Sequence, residues 1–237
     1  MNKIKNIILD FDGVFYPYSG LGENDIVFEY FDNAYANAAN LIFPDNGMSV
    51  FPNYIDIGYE KFIAQIRTLG NIDTGAYPLE SIAQMHVRFH ENMLAALGPE
   101  NQDILFSSVA TVKQDLHALK EKGVNLAILS HSDKEAWLDH ILTPREMHHL
   151  FHPVIDYKTI GFNSKSASGY ALEYTMNLMG ADPKETLFVE DSPSNIKMAY
   201  NTYPGLRNFL ISSKIIAEAH YHAPTLASAM PQIMKLV

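Results

Sequence analysis

The sequence predicts an α/β protein: a three-layer, Rossmann-like core with a mainly parallel sheet, and a helical segment inserted after the first strand. Three observations carry that prediction. A short apolar run of strand length, Ile7-Ile8-Leu9, ends in the pair Asp10 and Asp12 and is followed by Gly13. From about residue 107 onward, short apolar runs alternate with helical patterns, as expected for parallel strands covered on both faces. Between these parts, from about residue 19 to 106, helix-like stretches take the place of alternating strands.

Each element has a local reason. In a strand, residues i and i+2 point to one side, so Asp10 and Asp12 converge just past the first strand's carboxyl end. Gly13 permits a sharp turn there, and Phe15-Tyr16-Pro17-Tyr18 reads as a turn-like exit. Helix-like stretches follow at roughly 24 to 41, 56 to 69 and 79 to 97. In the last, Ile82, Met85, Phe89, Met93 and Leu97 recur every three or four residues, and Gly98-Pro99 ends it. The stretches 43–47 and 70–75 are rich in Gly, Asn and Asp and read as loops. Val109, Val112, Leu116 and Leu119 mark a helix stopped by Gly123. Val124 to Leu129 is a strand ending at Ser130, and Trp137, Leu138, Ile141 and Leu142 belong to a second helix. Val154-Ile155 is a short strand. Tyr170, Tyr174 and Leu178 give a further helical face closed by Gly180. Thr186 to Val189 is a buried-type strand running into Glu190-Asp191. Asn208 to Ser212 is the expected last strand, with a helix near Thr225 to Leu236. The implied division is a core of 1–15 and 107–237 with an insert of 16–106.

Composition bounds the function. A chain of 237 residues is long enough for one large domain or a core plus a smaller insert. At 47% hydrophobic and 19% charged it reads as globular. A net charge of −10 argues against binding nucleic acid polymers or anionic membranes. It leaves a phosphorylated substrate open, because local charge and a bound metal decide that. With no cysteine there is no disulfide framework and no thiolate zinc site. The first residues do not form a signal peptide and no apolar segment approaches a membrane span. A cytoplasmic location is the expectation.

The carboxyl ends of parallel strands lie along one edge. Asp10/Asp12, Ser130, the loop with Lys165, and Glu190/Asp191 can therefore meet there. Two carboxylates about 4 Å apart repel by roughly 4 kcal/mol at an effective dielectric of ~20. Such a group needs a cation, a shared proton or a separating turn. Mg2+ suits an all-oxygen site of one or two carboxylates plus substrate phosphate and water. Lys165 is preferred to Lys158 for its Ser-Lys context and the helix that follows. His86 and His90 stand four apart on a helix, a metal-like spacing that lacks a third ligand, so a solvated helix face is expected. Ser192-Pro193 reads as a helix N-cap with proline in the first turn. The aromatic residues of the insert are expected to be core.

The motifs together resemble the haloacid dehalogenase superfamily of phosphohydrolases, over a stretch from Lys5 to about Ala199. Asp10-Phe11-Asp12-Gly13-Val14 is similar to its first motif and Leu129-Ser130 to its second. Ser164-Lys165 sits where the third motif's lysine belongs, and Leu187 to Ser192 is similar to the fourth. Ser166 stands where proline often follows the lysine, and His131 where asparagine often follows the second-motif residue. The resemblance implies that Asp10 attacks phosphorus to give an aspartyl phosphate and that Asp12 is the acid and base. It implies that Ser130, Lys165 and His131 line the phosphate pocket. It also implies that Mg2+ is held by Asp10, the backbone carbonyl of Asp12, Asp191 and, through water, Glu190. Dehalogenases of the superfamily lack the acid at Asp12, so a phosphatase is implied. The insert resembles a cap domain, which implies a small phosphorylated metabolite as substrate. Phe15-Tyr16-Pro17 and the Val189 to Ile196 segment most resemble pyrimidine 5′-nucleotidases. Sugar-phosphate phosphatases and phosphomutases share the same core.

Overall fold

In the computed structural model, residues 2–16, 34, 37, 38 and 79–237 are described. The expected helix over 56–69, most of that over 24–41, and the loops at 43–47 and 70–75 lie outside them. Ala34, Asn37 and Ala38 are helical.

The sheet is built from β1 (Asn6–Leu9), β2 (Asn125–Leu129), β3 (Val154–Ile155), β4 (Thr186–Glu190), β5 (Arg207–Ile211) and β6 (Tyr221–Ala223). Its strand order is β3-β2-β1-β4-β5-β6, and every neighbouring pair is parallel. All residues of β1, β4 and β5 are buried. Alternate residues face opposite sides, so both faces of the sheet are covered, which is why these strands read as unbroken apolar runs. Leu9 is level with Ile128 and Val189. Asp10 therefore leaves the sheet beside Leu129 and Glu190. β1 lies centrally, with β2 and β3 on one side and β4 to β6 on the other. The gap between β1 and β4 is the switch point at which open parallel sheets bind ligands.

The helices are α1 (Leu79–Leu105), α2 (Ser107–Thr111), α3 (Lys113–Glu121), α4 (Tyr170–Met179), α5 (Pro193–Thr202) and α6 (Leu226–Leu236). Helix α4 packs on β2, α5 on β4 and β5, and α6 on β6. Gly98-Pro99 ends the first of the two helical runs that make up α1, as expected. Gly98 takes φ 67°, ψ 168°, and Pro99 starts a second helical run to Leu105, as suits proline at a first helical position. The single helix expected from Val109 to Leu119 is two, joined at Val112. In α4 the buried face is Ala171, Leu172, Thr175 and Met176; Tyr170 and Leu178, which defined the expected face, are exposed. Strand β6 was not expected from the sequence; at three residues it is too short to show a pattern. No helix among the described residues is long and apolar enough to cross a membrane.

Candidate active site

Asp10 stands at the end of β1 with its backbone N–H still bonded to Val189 C=O, at 2.9 Å. Its Oδ1 accepts from Phe11 N–H at 2.8 Å and lies 2.8 Å from Lys165 Nζ. Lys165 reaches in from the long turn after β3 and is only 2% exposed. Its ammonium also meets Glu190 Oε2 at 3.0 Å and Leu129 C=O at 3.4 Å. Lys158 is exposed. Glu190, the last residue of β4, uses Oε1 to accept from the N–H groups of Asp191 and Ser192, each at 3.1 Å. Asp10, Glu190 and Asp191 each offer a carboxylate oxygen within 4.8 Å of the others. Ser192 precedes α5, with Pro193 at the first turn, but its hydroxyl caps no backbone N–H and pairs with Ser194 instead.

Burial and crowding set the charges. Burial, and then the charges of Glu190 and Asp191, hold Asp10 well above the usual carboxylate range, with Lys165 opposing. Burial and Glu190 push Asp191 up to about 8. Burial would raise Glu190 too, but Lys165 and its hydrogen bonds outweigh that and bring it down to about 2. On Lys165, burial is outweighed by the charges of Asp10 and Glu190, which hold it above the usual lysine range. Among the described residues, one buried ammonium thus serves three clustered carboxylates. The unmet negative charge and the all-oxygen donor set fit a hard divalent cation such as Mg2+.

Asp10 and Asp191 bind protons in the folded state at pH values where the unfolded chain, near pKa 3.9, has released them. Protein free of divalent ions is therefore expected to lose stability as pH rises from about 4 towards 8. Added Mg2+ should restore it, because a ligand of the folded state stabilises that state. Thermal melts at several pH values, with and without Mg2+, measure this. A flat profile that Mg2+ leaves unchanged contradicts it.

Gly13 makes the approach of Asp191 possible. It sits at φ +78°, and a Cβ there would lie 2.0 Å from Asp191 Oδ2. Gly13→Ala is expected to cost about 1–3 kcal/mol of stability. It should also weaken Mg2+ binding roughly ten- to hundredfold by displacing Asp191. Denaturant unfolding and calorimetric titration read the two effects.

Asp12 turns to a different set of partners. Its Oδ1 accepts from Trp137 Nε1 at 2.7 Å and from the Tyr16 hydroxyl. Its Oδ2 accepts from Ser132 Oγ at 2.6 Å and Ser130 Oγ at 3.1 Å. Ser130 Oγ in turn accepts from Ser132 N–H at 2.9 Å. Trp137 gets there through an unusual backbone. The expected α-helix begins as a π-helical turn, Lys134–Asp139, capped by the Asp133 side chain on Ala136 N–H, with Leu138 N–H bonded five residues back to Asp133 C=O. Such turns often mark functional sites. The sequence reading did not single out Ser132 or assign a site role to Tyr16 or Trp137. Ser132 carried one signal: in an extended loop it falls on the same side as Ser130.

His131 Nε2 accepts from Lys165 N–H at 3.1 Å. Burial, and then the Lys165 charge, push its pKa down to about 3. The ring is therefore neutral near pH 7 with its proton on Nδ1. It supports the backbone of the lysine loop. His86 and His90 correct the expectation of a solvated face, since both are buried. Their rings pack edge to face at 4.6 Å, His86 against Tyr157 and Phe162, and His90 against Trp137. Burial lowers both below the usual histidine range. They belong to no cluster of three or more metal-ligating side chains among the described residues.

The sequence model of the haloacid dehalogenase-like hydrolases matches residues 4–201. No curated relative matches the chain. Among solved structures, a β-phosphoglucomutase from Clostridium difficile is similar with TM-score 0.63 and 14% identity, over 98% of this chain and 96% of that one. A HAD phosphatase from Thermococcus onnurineus gives 0.56 and 16%, over 98% of each chain. An L-2-haloacid dehalogenase gives 0.54 and 16%, over 98% of this chain and 100% of that one. At these identities the likenesses establish the shared fold.

Proposed function

The chain belongs to the haloacid dehalogenase-like hydrolases, and on that footing we propose that it is a Mg2+-dependent phosphomonoester hydrolase working through an aspartyl phosphate. One observation carries the choice of phosphate over halide chemistry. A second buried carboxylate, Asp12, stands two residues beyond Asp10 and is held by four hydrogen bonds from described residues. Halide leaves without a proton, whereas an alkoxide does not.

In this reading a carboxylate oxygen of Asp10 attacks phosphorus as the bond to the ester oxygen breaks, and Asp12, having taken up a proton from solvent as the substrate binds, gives that proton to the ester oxygen. Asp12 then takes a proton from water, whose oxygen attacks phosphorus and breaks the bond to Asp10. Asp12 returns that proton to solvent, both carboxylates are regenerated and inorganic phosphate leaves. Lys165 and Ser130 hold the transferring phosphoryl oxygens with nearby backbone N–H groups, and His131 fixes the lysine loop among them. Asp10, the Asp12 carbonyl and Asp191 would hold Mg2+, with Glu190 acting through water. The ion supplies neutralisation of the phosphoryl charge and of the carboxylate cluster.

The segment 16–106 would act as a cap that closes over a small phosphorylated metabolite, excluding water. A pyrimidine nucleoside monophosphate is the favoured substrate within that class, from the Phe15-Tyr16-Pro17 exit and the Val189 to Ile196 segment. Hydrolysis of an aryl phosphate with and without Mg2+, followed by a panel of nucleotides, sugar phosphates and a haloacid, tests the reading. Mg2+-dependent phosphate release supports it. Release of halide in place of phosphate refutes it.

A further inference from the structure

We propose that Trp137 and Tyr16 are positioning residues that anchor one oxygen of Asp12, leaving the other to move the proton; this rests on the phosphatase reading. A carboxylate has about four acceptor sites, and among the described residues four donors meet Asp12. The two oxygens are held by donors of different kinds. Among the described residues, Oδ2 is bonded only by the Ser130 and Ser132 hydroxyls, and a hydroxyl can turn from donor to acceptor. Oδ1 is bonded by the Trp137 indole N–H, a group that only donates, and by the Tyr16 hydroxyl. The indole N–H also lies 3.2 Å from the Tyr16 oxygen, which ties the two anchors to each other.

The anchors themselves have little freedom. Trp137 is 4% exposed and Tyr16 1%. The Phe106 ring meets Tyr16 at 5.1 Å and Trp137 at 5.5 Å, both edge to face. His90 of α1 closes on Trp137 at 5.2 Å. The π-helical turn that carries Trp137 is pinned by Asp133 at its start and by Lys134 N–H on Asp156 Oδ2, at 3.2 Å. When a phosphoryl group takes the Ser130 hydroxyl, Oδ2 loses a donor while Oδ1 keeps both of its own. Oδ2 is then the oxygen free to take up a proton from solvent and pass it to the departing ester oxygen.

Trp137 is the only tryptophan in the chain, so its indole N–H gives one signal in a nitrogen-resolved proton spectrum. Asp12→Asn removes the negative charge from its acceptor with little change of shape, and is expected to move that signal upfield. Trp137→Phe, and Tyr16→Phe as the variant that deletes only a hydroxyl, are expected to lower kcat/KM for an alkyl phosphate by about 30-fold or more. For dinitrophenyl phosphate, whose leaving group departs without a proton, the loss should be several-fold smaller. An indole signal unmoved by Asp12→Asn, or equal losses on both esters, overturns the positioning role. A wild-type enzyme that hydrolyses neither ester instead refutes the phosphatase reading, and the positioning role with it.

Discussion

Asp10→Asn is expected to reduce turnover of a phosphomonoester by roughly four to six orders of magnitude while leaving the protein folded. The carboxamide is close in shape and can still accept from Phe11 N–H, the bond now made by Oδ1 at 2.8 Å. It cannot attack phosphorus as a carboxylate does. The substitution also relieves part of the crowding with Glu190 and Asp191 that holds Asp10 well above its usual range. Stability is therefore expected to hold or rise slightly, and loss of turnover without loss of stability separates a nucleophile from a structural acid. Steady-state rates and denaturant melts of the two proteins make the comparison.

Lys165→Met is expected to have the next largest effect, and on both axes. Its ammonium is the shared partner of Asp10 at 2.8 Å and Glu190 at 3.0 Å in a buried setting. Removing one partner of a buried ion pair leaves uncompensated charge and costs about 3–5 kcal/mol. Part of that is recovered at low pH, where the carboxylates take up protons. In the proposed reaction the same ammonium faces the transferring phosphoryl oxygens, and losing one such donor costs about 10²–10³ in kcat. A variant as stable and as active as the wild type would remove Lys165 from both roles.

How much of this was legible beforehand depends on the kind of signal. Polar residues at the ends of apolar strand-like runs were readable, because a buried parallel strand leaves an unbroken apolar trace and its polar terminus stands out. Asp10, Ser130 and Glu190 were found that way. Lys165 was separable from Lys158 only by the motif around it, and the coordinates place Lys165, not Lys158, beside Asp10. The environment of Asp12 was not legible. Trp137 looks in sequence like a core residue, and its role follows from a π-helical turn that no periodicity announces. The buried state of His86 and His90 escaped for a related reason. Two polar rings on a helix read as a wet face until the Trp137, Tyr157 and Phe162 rings are seen to cover them. The exposed Tyr170 and Leu178 show the converse, since aromatic and aliphatic spacing alone does not say which face of α4 is inward.

The central claim is that Asp10 becomes covalently phosphorylated during turnover. Acid quenching of the enzyme mixed with an aryl phosphate and Mg2+, followed by peptide mass spectrometry, reads this most directly. The account predicts one phosphoryl group on the peptide carrying Asp10, absent from Asp10→Asn and absent when Mg2+ is withheld. Steady hydrolysis with no adduct on that peptide, or an adduct that survives in Asp10→Asn, would contradict it.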